Sequence, residues 1–331
     1  MKRLFVVAAA ALLAAGSARA ADVKPAVVYD LGGKFDKSFN EGVYDGAVKF
    51  RDETGIDFRE FEVQTDSQRV QALRNFARRG QDPILAVGFQ YASALDKVAP
   101  EFPDTRFAII DSVVDHPNVQ SIVFREHEGS FVVGVLAAMA APGGKVGFVG
   151  GMDVPLIRRF ACGYVLGARH ARPDVEVFQN MTGTTGAAWN DPVKGGELAK
   201  SQFDRGAEVV YHAAGSTGLG VLQAAADAGK LGIGVDSNQN HLHPGHVLTS
   251  MLKRVDVAAY DVFDSARRDA WKSGVRVLGL AESGVGWSLD EHNESLVTPA
   301  MRAAADEAAR QIVAGEIKVH DYATEGDCPA K

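Results

Sequence analysis

The chain has 331 residues, 46% of them hydrophobic, with 35 basic and 42 acidic side chains and a net charge of −7. That is length enough for two domains with separate cores. The mildly acidic balance argues against a nucleic-acid partner, whose phosphates need a clustered basic face.

In chain order, Lys2 and Arg3 precede an apolar run from Leu4 to Ala15 and the small-residue site Ala18-Arg19-Ala20. This reads as a cleaved secretory signal over residues 1–20, and it predicts a periplasmic protein. Its removal takes away three basic residues and no acid, so the net charge falls from −7 to −10. No later apolar run reaches the length of a membrane span. No cysteine lies near the cleavage site, so no lipid anchor is expected.

Beyond the signal, apolar strand-like runs alternate with helical segments, the pattern of parallel sheets with crossover helices. Strands are predicted near 24–30, 57–63, 83–87, 106–110 and 120–124, with helices near 38–53, 67–79 and 91–98. A second series has strands near 145–150, 175–181, 208–212, 232–235 and 246–251, with helices near 127–140, 155–171, 190–204 and 216–228. A helix over 256–272, one strand over 277–287 and a helix over 299–314, ended by Gly315, complete the chain. Two doubly wound α/β halves with extra elements after the second imply that the chain crosses back between them, forming a hinge.

Ligand sites in open parallel sheets lie at the carboxyl ends of strands. There the sequence places Asp30, Gly88-Phe89-Gln90-Tyr91 and Asp111 in the first half. In the second it places Gly150-Gly151-Met152-Asp153, the 182–191 loop with Trp189, Gly215-Ser216-Thr217-Gly218 and Asp236-Ser237-Asn238-Gln239. These are carboxylates, amides, glycines and aromatics with almost no arginine, which suits a neutral polyol or heterocycle better than a phosphate or an acid. The loop from Asp30 to Asn40 has a structural reading as well: its glycines supply positive φ, and Asp36 or Ser38 caps the next helix. Trp189 sits in a small-residue loop with little local core to enter, so it reads equally as a cleft-lining ring.

Catalytic fingerprints are missing: there is no G-x-S-x-G elbow, no G-x-x-x-x-G-K-[ST] loop, and no G-x-G-x-x-G after the first strand. His241, His243 and His246 share a polar loop with the turn dipeptide Pro244-Gly245 and read as solvated rather than metal-binding. The acidic run 290–294 reads as an exposed loop rather than an acid/base pair. Cys162 and Cys328 could form one disulfide after export, pinning the C-terminal tail, although a buried thiol with a loose tail thiol fits the spacing equally.

Several motifs in order resemble the basic membrane protein family, the purine nucleoside receptor-like substrate-binding proteins of ABC importers. They are Asp30 with Gly32-Gly33 and the run 36–40, Glu126-His127-Glu128-Gly129-Ser130-Phe131, and Gly147-Phe148-Val149-Gly150-Gly151. Trp189-Asn190-Asp191-Pro192, Ala214 to Gly218, Gly234-Val235-Asp236 and Ser250-Met251-Leu252-Lys253 continue the series. The resemblance implies a type I periplasmic-binding-protein fold. One lobe would comprise 21–125 plus about 252–284, the other 126–251 plus about 285–331, with ligand between them. It implies that Phe39 and Trp189 sandwich a purine, that Asn40, Asp30 and Asp111 meet its polar edge, and that Gly215, Asp236 and Lys253 hold ribose hydroxyls. It further implies a monomeric receptor with ABC permease subunits as partners, no cofactor, no metal and no reaction. Trp189 stands where familiar members are expected to carry phenylalanine, so a different heterocycle or a pentose is the alternative ligand. An exported nucleoside hydrolase is the enzyme alternative, and an export signal in place of a helix-turn-helix disfavours a transcription regulator.

Overall fold

The computed structural model describes residues 23–329, so the expected signal over 1–20 lies outside the described residues. From its start, strand and helix alternate: β1 (Ala26–Tyr29), α1 (Phe39–Thr54), β2 (Arg59–Glu62), α2 (Gln68–Arg78), β3 (Ile84–Ala86), α3 (Ala92–Val98), β4 (Phe107–Ile110) and β5 (Val119–Phe124). After α4 (Glu126–Met139) the pattern repeats with β6 (Lys145–Met152), α5 (Pro155–Ala171), β7 (Glu176–Gly183), α6 (Pro192–Asp204), β8 (Val209–Ala213), α7 (Thr217–Asp227), β9 (Leu231–Asp236) and β10 (Val247–Lys253). The chain finishes with α8 (Val255–Arg267), β11 (Gly274–Leu278), β12 (Val285–Trp287), α9 (Pro299–Val313) and α10 (Tyr322–Glu325).

Two six-stranded sheets result, ordered β11-β5-β4-β3-β1-β2 and β12-β10-β9-β8-β6-β7. All strand pairs are parallel except β10 with β12. The central strands β1, β3, β4 and β8 are wholly buried, as β-branched and apolar runs covered by helices on both faces must be. At the edge, β2 reads Arg-Glu-Phe-Glu and is largely exposed, which blunts further strand pairing.

The single strand expected over 277–287 is two strands, one in each sheet. A tight turn separates them: Gly284 N–H donates to Gly279 O at 2.8 Å, Ser283 has φ 54°, and Gly279 N–H donates to Glu282 Oε2 at 2.8 Å. A left-handed residue within a tight turn breaks the extended run. The chain therefore passes between sheets three times, after β5, after β10 and between β11 and β12.

Helices α4 and α5 pack closely beneath the second sheet because three glycines let their backbones meet. A Cβ at Gly134 would strike Tyr164 O, one at Gly163 His127 O, and one at Gly167 Phe131 O. Gly167→Val should therefore lower stability by about 1–3 kcal/mol through overpacking, read as a lower urea midpoint with an unchanged slope. Helix α5 also anchors the tail. A disulfide joins its Cys162 to Cys328, with Cα atoms 5.7 Å apart, and its Arg159 pairs with Asp321 at 2.6 Å.

Candidate ligand-binding site

The carboxyl ends of β1, β4, β8, β9 and β10 converge on one cavity between the two sheets, where small-molecule sites of open parallel sheets lie. All eight residues singled out from the sequence, Asp30, Phe39, Asn40, Asp111, Trp189, Gly215, Asp236 and Lys253, line it. The lobes touch across it. Ser38 Oγ donates to Asp236 Oδ2 at 2.5 Å, Ser237 Oγ to Ser38 O at 3.1 Å, Gln239 Nε2 to Lys37 O at 2.9 Å, and Ser216 Oγ to Gly32 O at 3.0 Å. This is a closed cleft, shut by the loop between β1 and α1.

Asp36 shapes that loop. Its buried carboxylate accepts the N–H groups of Ser38, Asn40 and Glu41 at 2.9, 3.0 and 3.1 Å, satisfying free donors at the start of α1. Burial nevertheless pushes Asp36 up to about 7, against the pull of those three donors. Ser38 is thereby free to reach Asp236 instead of capping. Asn40 is committed to the same loop: its Oδ1 accepts from Asp30 N–H at 3.3 Å and its Nδ2 donates to Gly33 O at 3.2 Å.

At the hinge, Lys253 is 2% exposed and sits 2.7 Å from Asp111 and 3.0 Å from Glu126. Glu126 in turn pairs with Arg159 at 3.0 Å. The carboxylates Asp111 and Asp236 end β4 and β9, the fourth strand of each repeat, and both adopt left-handed backbone, φ 69° and 63°. That conformation turns each side chain off its strand, and aspartate tolerates it better than most residues. Burial raises both carboxylates above their usual range, with Lys253 opposing and Glu126 adding to the rise; the carboxylates around Lys253 hold its ammonium charged despite burial. Asp111 Oδ1 is buried without a partner among the described residues. The charges acting most strongly on Asp111 are Lys253, Glu126 and Asp236, which groups it with the hinge cluster.

Aromatic and aliphatic side chains form the rest of the wall: Phe39, Phe89, Leu156, Ile157, Phe160 and Trp189. Phe89 meets Trp189 edge-on, ring centroids 6.5 Å apart. The Trp189 ring lies against Gly151, where any Cβ would collide with it. Phe39 and Phe160 flank the Lys253 ammonium at 5.1 and 5.6 Å, within cation–π reach. The cavity thus combines flat apolar walls with a buried cluster of acceptors around one ammonium, a fit for a hydroxylated ring compound.

Residues 23–322 match the family model described as ABC transporter substrate-binding protein PnrA-like. The chain belongs to this Bmp family. An uncharacterized lipoprotein of Pyrococcus furiosus is 35% identical over 286 residues, covering 81% of this chain and 71% of that one. The ABC transporter nucleoside-binding protein BmpA of Lactococcus lactis is 30% identical over 321 residues, covering 90% and 89%. A solved ABC solute-binding protein from Aeropyrum pernix K1 superposes with TM-score 0.84 at 30% identity, covering 90% and 93%. The two lobes are those of a type I periplasmic solute-binding protein. Members of the Bmp family bind solutes for ABC transporters rather than transform them. Among the described residues no helix is long and apolar enough to cross a membrane.

Several cavity and support residues of this Bmp protein escaped the sequence reading. Leu156, Ile157 and Phe160 come from one face of α5, where their spacing looks like ordinary core. Arg69 comes from α2 and lies behind Asp30, where the sequence had suggested almost no arginine; its Nη2 donates to Asp30 Oδ1 at 2.5 Å. Glu126 had entered only as part of a family motif.

Proposed function

We propose that the protein captures a purine nucleoside between its lobes in the periplasm and delivers it, as a monomer, to the permease of an ABC importer. The observation that supports this most is that aromatic walls and one polar cluster line the same cavity. Phe39, Phe89 and Trp189 supply apolar ring surface for a base, and Asp111, Asp236 and Lys253 cluster as acceptors and a donor for vicinal hydroxyls. A carboxylate accepting from ribose hydroxyls while an ammonium donates to them uses every polar atom of a diol. The nucleoside-binding name of the Lactococcus lactis relative points the same way. In this reading Asp111 belongs with the ribose, beside Lys253, and Asp30, held beside Asn40, faces the base. Isothermal titration of protein stripped of bound ligand with adenosine, guanosine, inosine and their free bases tests it. Heat is expected with nucleosides and much less with bases; no heat with any nucleoside would overturn the reading.

A further inference from the structure

The carboxylate of Asp30 is held from behind by a side chain that never reaches the cavity. Arg69 is buried; its Nη2 donates to Asp30 Oδ1 at 2.5 Å and its Nη1 to Asp66 Oδ1 at 2.6 Å, while its guanidinium lies 5.3 Å from the Tyr91 ring centroid. Asp30 Oδ1 also accepts from Leu31 N–H at 2.8 Å. The described residues give the other oxygen, Oδ2, no donor. It lies beside cavity-lining Gly88, where a Cβ would come within 2.7 Å of it. The neighbouring amide of Asn40 is spent on the loop backbone. What this side of the cavity offers a ligand is therefore one fixed acceptor, with its second oxygen already occupied.

We propose that Arg69 is a positioning residue that presents Asp30 as an oriented carboxylate acceptor, and that through it the site selects nucleosides whose base edge carries an N–H donor. This inference rests on the nucleoside reading above. The groups facing Asp30 are Arg69 and Asp66 from α2 and the turn before it, Tyr91 from the turn after β3, and Asn40 from α1. Burial raises Asp30, Arg69 opposes that rise, and Asp66 adds slightly to it. Without the guanidinium, the carboxyl takes up a proton at higher pH and its free oxygen stops serving as an acceptor alone. Acceptor character is present above that pKa and is lost as pH falls through it.

Inosine and purine riboside differ at the six-membered ring's edge: inosine has a ring N–H there and purine riboside has none. The test is calorimetric titration of both into wild type, R69M, R69K and D30N from about pH 6 to 8, below ionisation of the ring N–H. Wild type should prefer inosine by at least about tenfold, the worth of one hydrogen bond to a charged group. D30N should lose that preference at every pH. In R69M the preference should be weaker than in wild type and weaken further towards the acidic end, with R69K, which keeps a cation but not the two-pronged fork, between it and wild type. Equal binding of the two ligands by wild type would overturn the proposal, as would an unchanged pH profile in whichever Arg69 variant folds. Failure of both ligands to bind wild type would overturn the nucleoside reading itself, and this one with it.

Discussion

Replacing Lys253 with methionine is expected to cost the fold about 3–5 kcal/mol, because it leaves buried carboxylates without their counter-charge. Asp111 and Glu126 lie 2.7 and 3.0 Å from that ammonium, and Asp236 feels its charge as well. Arg159 remains to Glu126, but no other cation among the described residues pairs with Asp111. The deficit should depend on pH in a defined direction. Burial raises Asp111 and Asp236 even with Lys253 present, and removing the ammonium raises them further. A carboxyl whose folded pKa exceeds its unfolded one binds protons more tightly when folded, so acid stabilises the folded form. The difference between wild type and K253M should therefore be greatest near pH 8 and shrink towards about pH 5, as the orphaned carboxylates protonate. Urea unfolding of both proteins across that range checks it. A deficit that is independent of pH would mean that lost packing, not lost charge, sets the cost. Nucleoside binding should fall with stability at neutral pH, because the same ammonium is the diol's donor in the proposed complex.

How much of this was legible follows from where each residue sits. Asp30, Asp111 and Asp236 end strands of parallel sheets, and parallel topology alone puts strand ends at the ligand crevice. Asp36 was legible as a shaper of its loop, since a carboxylate three or four residues before a helix's free N–H groups has few other tasks. The second carboxylate beneath Lys253, Glu126, was not, because it opens α4 after the first crossing and meets Lys253 only when β10 reaches the hinge. Arg69 and the apolar face of α5 were hidden for a related reason. On α5, cavity wall and core share one hydrophobic period, and on α2 a charged residue at the helix start reads as solvent-facing; only tertiary packing tells these apart. The split of 277–287 into two strands was signalled locally by Gly279 and the turn dipeptide Ser283-Gly284, but that the two halves join different sheets is set by tertiary topology alone.

Asp236→Asn should weaken nucleoside binding about tenfold to a hundredfold, the range for losing a hydrogen bond to a charged acceptor. Asparagine is the informative replacement because residue 236 holds φ 63°, which asparagine accepts and alanine resists. It also keeps an oxygen for Ser38, so the closed contact at 2.5 Å can persist while the negative charge is gone. Ser38→Ala supplies the complementary loss, removing that cross-lobe contact and leaving the carboxylate intact. If Asp236 serves the ligand, calorimetry will show the asparagine variant much weaker and the alanine variant only mildly so. If Asp236 acts only by latching the lobes, the order will reverse, and the ribose assignment must move. Stability adds an independent check. Burial makes the ionised Asp236 costly to the fold, with Glu126 adding to that cost, and their sum outweighs the attraction of Lys253 and the Ser38 hydrogen bond, so ligand-free D236N should melt no lower than wild type. Weaker binding in an equally stable protein would locate the loss at the ligand and not in the fold.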